Sequence, residues 1–278
     1  MERGVFVARQ ILAVVRCRRR PAARAGLAAL ALAGAACGAC AADGDDAGID
    51  AITPYRPSVS SPAQLPVPGQ LEFELGGLQM RGDGTRRSSV PYLFKLAFDR
   101  EWGLLIGGEA HVWQHDAGDR AQGIGDTNVV LKRAWIVDDA TAFGMEFNAK
   151  LPTANDPVGS GRADYTLNTI VSRDLGPVHM DANLNGTRLG RVDPGAARTQ
   201  LGASAAFSTP VSEHWGVTGE LSGTHRSGAD GGVELLSALT YSPTKRLTFD
   251  VGLARAARPR PATTLVFAGV VLPIAKLW

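Results

Sequence analysis

Between residues 71 and 272 the chain repeats one pattern. About ten residues alternate apolar and polar side chains, and a break rich in Gly, Pro, Asp or Arg follows. Residues 123–151 carry it most plainly. Phe143, Met145, Phe147, Ala149 and Leu151 fall on one face, and Ala142, Gly144, Glu146, Asn148 and Lys150 on the other. Just before them Thr127, Val129 and Leu131 alternate with Asp126, Asn128 and Lys132. Successive side chains of a strand point to opposite sides, so this period of two demands a sheet with one apolar and one wet face. The link through Val137, Asp138, Asp139 and Ala140 is short enough for a tight hairpin.

A soluble sandwich has the same local pattern; recurrence and loop length separate the two folds. Strands are predicted at 71–80, 89–98, 103–113, 126–136, 142–151, 164–173, 178–189, 199–208, 215–224, 232–241, 247–254 and 264–272. About ten residues is what a tilted strand needs to cross the hydrocarbon layer. The breaks alternate in length: short at 99–102, 137–141, 174–177, 209–214 and 242–246, longer at 81–88, 114–125, 152–163, 190–198, 225–231 and 255–262. An even strand number with short turns at one rim and longer loops at the other gives an all-β fold, a transmembrane up-and-down antiparallel β-barrel of about 12 strands in a bacterial outer membrane.

The phase of each strand assigns its faces. Outward go residues such as Tyr165, Leu167, Leu184, Leu201, Phe207, Leu221, Leu235, Phe249 and Val251, with Trp102, Trp135, Trp215 and Tyr241 near strand ends as an aromatic girdle. Inward go Glu72 and Glu74 and the candidate lumen-lining set Glu109, Asp126, Asn128, Lys132, Glu146, Asn148, Lys150, Asp164, Asn168, Asp181, Asn183, Asn185, Glu220, Glu234 and Asp250. Such a polar, acid-leaning lumen reads either as a cation path or as salt-bridge filling with Lys95, Lys132 and Lys150, the latter being common in narrow barrels. In the first case Glu146→Gln is expected to be mild, because the side chain meets water.

What precedes the strands is different material. Seven arginines between Arg3 and Arg24 lead into an apolar run over 25–36, and Ala39, Cys40 and Ala41 supply small residues for a signal peptidase, so 1–41 reads as a signal peptide. Residues 42–70 hold Pro54, Pro57, Pro62, Pro66 and Pro68 without periodicity and read as a flexible arm, a periplasmic tail in preference to a plug. Residues 71–278 form the barrel. All three cysteines, Cys17, Cys37 and Cys40, lie in or beside the leader, so a chain cleaved after Ala41 makes no disulfide or thiolate metal site. The near-neutral charge of +2 offers no field for nucleic acid, and 33 glycines suit turning β structure better than helix.

Enzymatic chemistry has one foothold. His225 and Ser227 are spaced like the His-x-Ser pair of outer-membrane acyl hydrolases, with Asp230 or Glu234 as the only nearby orienting acids, and Gly228 stands where those enzymes carry Asn. The remaining histidines lack metal-ligand spacing, and neither a phosphate loop nor a dinucleotide fingerprint occurs, so no cofactor is expected. Arginines on the longer links, among them Arg81, Arg86, Arg87, Arg120, Arg162 and Arg260, suit lipopolysaccharide phosphates.

Residues 123–126 (GIGD), 130–132 (VLK), 150–153 (KLPT), 159–161 (GSG), Asp164 and the Asn-rich stretch 181–186 resemble the outer-membrane barrel family named for a MetA-like pathway of phenol degradation. The resemblance covers about residues 123–190 and continues more weakly through Glu220 and 241–252. It implies a twelve-stranded, transporter-like barrel moving small, often aromatic, compounds, and supplies no catalytic residue. The function expected is a passive channel for small, possibly aromatic, molecules; a lipid-modifying hydrolase or a closed structural barrel are the alternatives. Expected partners are outer-membrane lipid and lipopolysaccharide, a small-molecule solute and the barrel-assembly machinery, with no nucleic acid.

Overall fold

The computed structural model describes residues 49–82, 84–116, 118–154, 158–258 and 262–278. The expected signal peptide and Arg260 lie outside the described residues. Among the described residues thirteen strands follow one another: β1 (Gln70–Gly82), β2 (Thr85–Ala97), β3 (Trp102–Asp116), β4 (Asp119–Gly123), β5 (Thr127–Ile136), β6 (Thr141–Leu151), β7 (Asp164–Leu175), β8 (Val178–Arg188), β9 (Thr199–Pro210), β10 (Trp215–His225), β11 (Gly232–Thr244), β12 (Leu247–Arg258) and β13 (Thr263–Lys276). Twelve of them form the wall. Each pairs antiparallel with its chain neighbour, and β1 pairs with β13 to close the sheet. The short β4 was not expected. It folds back on the end of β3, from Asp116↔Asp119 to Val112↔Gly123, while the lower part of β3 pairs with β5. Pro273 sits opposite Glu72 beside a register shift in β1, where a missing N–H is tolerated.

The distribution of side chains excludes a water-soluble sandwich. Phe147, Leu184 and Leu221 are 50%, 65% and 57% exposed on the outside, while Glu72, Lys95 and Lys132 are fully buried within. Water-soluble proteins do the reverse; a closed sheet in lipid, with no free edge, requires this arrangement. The girdle collects at the short-turn rim. Trp215 and Tyr241 lie 4.8 Å apart, and the Arg133 guanidinium sits over the rings of Trp102 and Trp135 at 5.1 and 4.7 Å.

Facing has a direct test. Phe147→Arg puts a charge on the lipid side near the middle of β6 and is expected to cost about 2–4 kcal/mol, read as a lower urea midpoint for refolding into liposomes. An unchanged midpoint would mean that Phe147 does not meet lipid.

Candidate functional site

The lumen is polar because the inward phase of nearly every strand carries Glu, Asp, Asn, Lys or Ser. Of the candidate lining set, Glu109, Asp126, Asn128, Lys132, Glu146, Asn148, Lys150, Asn168, Asp181, Asn183, Glu220, Glu234 and Asp250 are buried on the inner face; Asp164 and Asn185 are half-buried toward the long-loop rim. They do not line an open pore. Of the segment expected as a flexible periplasmic tail, residues 52–67 run inside the barrel.

The arm enters at the short-turn rim, where Ile52 donates to the Lys245 carbonyl, and then follows the wall. Carboxylates need donors when water is excluded, and the backbone of the arm supplies them. Thr53 N–H reaches Glu72 at 3.1 Å, and Tyr55 N–H reaches Glu74 at 2.8 Å. Arg56 places its fork on Asp250 at 2.8 and 2.9 Å. Val59 and Ser60 N–H converge on Glu220 at 2.6 and 2.9 Å, and the Ser60 hydroxyl lies 2.9 Å from that of Ser204. Ser61 exchanges two 2.9 Å bonds with the Asn183 amide, and Ala63 N–H donates to Ser172 Oγ at 2.7 Å. The chain then returns to the rim, where Pro68 bridges Ala97 and Gly69 hydrogen-bonds Ala97 and Leu277. The five prolines keep the arm out of regular pairing, which leaves its N–H groups free for wall side chains. Two wall glycines admit it. A Cβ on Gly144 would stand 3.1 Å from Ala63 Cα, and one on Gly269 only 2.3 Å from Arg56 Nε.

Three lysines organise the charge. Lys95 lies 3.0 Å from Glu72 and 2.7 Å from Glu74 and donates to the Thr53 carbonyl. Lys132 faces Glu146 at 3.5 Å and donates to Tyr55 Oη at 2.9 Å and to the Pro62 carbonyl. Both ammonium groups lie over the Tyr55 ring, at 4.5 and 4.1 Å, so this aromatic ring joins two cations. Glu146 is therefore a buried counter-charge, not a water-facing carboxylate, and its neutralisation leaves Lys132 with neutral acceptors only; the mild effect expected from sequence does not apply. Farther up, Lys150 lies 3.3 Å from Asp126, 2.7 Å from Asp164 and 2.8 Å from Ser160 Oγ. Ser160 and Val158 are buried, so the loop after β6 leans over this end of the lumen. Arg87, expected at a loop facing lipopolysaccharide, is buried in β2 and paired with Glu109.

The inside is not polar throughout. Met80, Leu236, Ala254, Ala256, Leu265 and Phe267 pack together on the β1 and β11–β13 side, with Glu234 in the same wall. Neither Glu234 oxygen has a hydrogen-bond partner among the described residues. Between the arm and the β2–β7 wall a cavity of about 170 Å³ remains.

The hydrolase foothold is not assembled. His225 is exposed at the end of β10, Glu234 points into the lumen, and Ser227 is engaged through its backbone carbonyl by Ala197 N–H. No hydrogen bond among the described residues joins His225 to Ser227 or Asp230.

Neither a protein-family model nor a curated protein matches this chain. Solved structures do. An outer membrane channel from Pseudomonas putida F1 is similar at a TM-score of 0.60 and 11% identity, over 76% of this chain and 98% of that one. The KdgM porin in complex with disordered oligogalacturonate gives 0.52 and 12%, over 73% of this chain and 99% of that one. The NanC porin gives 0.53 and 9%, over 73% of this chain and all of that one. At these identities the likeness is one of fold: the chain is a twelve-stranded barrel of the outer-membrane type.

Proposed function

We propose that this outer-membrane barrel is a passive channel for small molecules, closed at rest by its own N-terminal arm. The observation that carries the reading is the way the arm is held. Its described segment joins the wall mainly through side-chain hydrogen bonds and ion pairs and makes a single isolated bridge, at Pro68, to the sheet. Such contacts exchange for water when the arm leaves, whereas a plug built into the sheet would have to break the barrel. The wall left behind is polar and wettable. Structures of similar fold are described as porins and channels, which supports passive transport here. Kinship with the MetA-like phenol-degradation family, and with it a preference for small aromatic solutes, is supported by the motif-bearing residues of β5–β8; lipopolysaccharide contact is supported by exposed arginines such as Arg81, Arg120 and Arg162 at the long-loop rim.

Glu220 tests this reading. Glu220→Ala removes the acceptor for Val59 and Ser60 and is expected to raise liposome swelling by small neutral solutes several-fold over the native chain. Swelling that stays at the level of empty liposomes, in this variant and in a chain lacking the arm, would leave a closed structural barrel as the better description.

A further inference from the structure

We infer that the cross-strand row Arg81, Arg86, His115 and Arg120 is a docking site for the phosphate groups of one outer-leaflet lipopolysaccharide molecule. The inference rests on the lipopolysaccharide contact proposed above and narrows it from the rim in general to one patch of the wall.

Register builds the row. Arg81 of β1 stands directly opposite Arg86 of β2, Arg86 opposite His115 of β3, and His115 opposite Arg120 of β4. Directly opposed residues share a face of the sheet, and here it is the outer one, because the inward phase beside them is taken by Met80, Arg87 and Val112, all buried. All four members of the row are exposed. The fold-back of β4 supplies the fourth, since β5 pairs only with the lower part of β3. On the other side the row runs on through Thr264, opposite Arg81, to Arg255, which donates to the Thr264 hydroxyl at 2.8 Å.

The charge of the row calls for an anion. Arginine is ionised at any working pH, and like charges directly opposite each other in a sheet repel, as Arg81 and Arg86 must. No acid answers them. Among the described residues Arg81, Arg86 and Arg120 have neither an ion pair nor a side-chain hydrogen bond. The acids of the β3–β4 hairpin, Asp116 and Asp119, stand in the opposite phase, and Asp116 accepts from the Thr85 hydroxyl at 3.0 Å. A phosphate seated across the row takes paired N–H bonds from the arginine forks and removes the repulsion between them.

The wall below sets the rest of the ligand. Two residues down each strand, about 7 Å, the outer face carries Gln79, Ser88, Trp113 and Gln122 in register, with Trp113 exposed. Farther down, Phe94 and Ile106 belong to the apolar belt. From rim to mid-membrane the order is therefore cation, then hydrogen-bonding group and ring, then hydrocarbon. Lipopolysaccharide offers the matching order of phosphate, sugar and acyl chain, and the long-loop rim of such a barrel faces the leaflet that holds it. Free phosphate matches the first layer alone.

The test is native mass spectrometry of the folded protein in detergent micelles titrated with deep-rough lipopolysaccharide, with heat-modifiable gel mobility as the check on folding. The native protein is expected to bind one molecule, and the triple variant Arg81→Gln, Arg86→Gln, Arg120→Gln to bind at least about tenfold more weakly. Arg86→Gln alone, at the centre of the row, keeps the test open where the triple variant does not fold. A charge-matched control, Arg162→Gln, Arg188→Gln, Arg191→Gln, changes exposed arginines elsewhere on the same rim and is expected to leave the affinity unchanged. Dephosphorylated lipopolysaccharide is expected to bind the native and triple-variant proteins alike, and inorganic phosphate to displace nothing. Urea unfolding adds a readout that a merely structural role would not give: without lipopolysaccharide the triple variant is expected to unfold no earlier than the native protein, and with it only the native midpoint rises. An equal loss in the charge-matched control would place the contact elsewhere on the rim, overturning the row but not the wider contact, whereas no binding to any of the proteins would overturn both. Equal affinity for the phosphorylated and dephosphorylated forms, or displacement by inorganic phosphate, would also overturn the inference.

Discussion

Removing residues 43–67, with residues 1–42 retained, is expected to raise the planar-bilayer conductance of the barrel at least about tenfold, because the segment fills a lumen that twelve strands make only modestly wide. Sparing Pro68 and Gly69 keeps the contacts with Ala97 and Leu277 that seat the start of β1. The barrel is expected to survive the loss. Glu72, Glu74, Glu220 and Asp250 lose donors, but water enters with the departure of the arm and solvates them, so no carboxylate is left dry and unpaired. The added conductance is expected to favour cations, since the freed carboxylates outnumber the lysines beside them, and to lose that preference in high salt as their field is screened. A truncated chain that conducts no better than the intact one would mean that something other than the arm closes the lumen.

Lys95→Met is expected to be the most damaging single change inside the barrel. The ammonium lies between Glu72 and Glu74 with all three side chains almost fully buried, so its removal sets two carboxylates against each other without a cation. Removing one partner of a buried ion pair typically costs about 3–5 kcal/mol, and here the Thr53 carbonyl and the Tyr55 ring lose a contact as well. The urea midpoint of refolding reads the loss. Adding Glu72→Gln and Glu74→Gln is expected to restore most of it, because the strain is between charges. In a chain lacking residues 43–67 the same substitution is expected to cost little, since the carboxylates are then hydrated. Equal losses in both backgrounds would show that Lys95 supports the wall and not the contact between wall and arm.

The wall was legible in the sequence because facing in a strand follows a fixed period, and lipid imposes that period without exception. Phe147 and Glu146, adjacent in the chain, are separated by the sheet as expected, one exposed and the other buried. The twisted-back β4 was not legible. Its five residues, DRAQG, lie beyond the apolar belt, where no alternation is required, and only pairing with β3 defines them. The arm was misread for a related reason. Its prolines do forbid regular structure, but irregular backbone is compatible with burial when side chains satisfy it, and here Glu72, Glu74, Glu220, Asn183 and Ser172 do so. One signal was present. Inward carboxylates exceed inward lysines, and Glu220 and Asp250 have no lysine in phase beside them, so donors had to come from outside the wall. Arg87 illustrates the remaining difficulty: a strand that continues past the hydrocarbon carries its inward phase with it, and what looks like a loop arginine becomes a lumen partner of Glu109.

A disulfide between Ser60→Cys and Ser204→Cys tests the position of the arm most directly. The two hydroxyl oxygens lie 2.9 Å apart, one on the arm and one on β9, and no cysteine follows Cys40, so a protein started at residue 42 behind an unrelated export leader holds no competing thiol. If the arm occupies the lumen, the pair oxidises spontaneously, the intact mass falls by two hydrogens, and conductance stays as low as that of the native chain. Two free thiols, both alkylated by a bulky polar reagent in the folded protein, would place Ser60 outside the barrel and contradict the closed lumen described here.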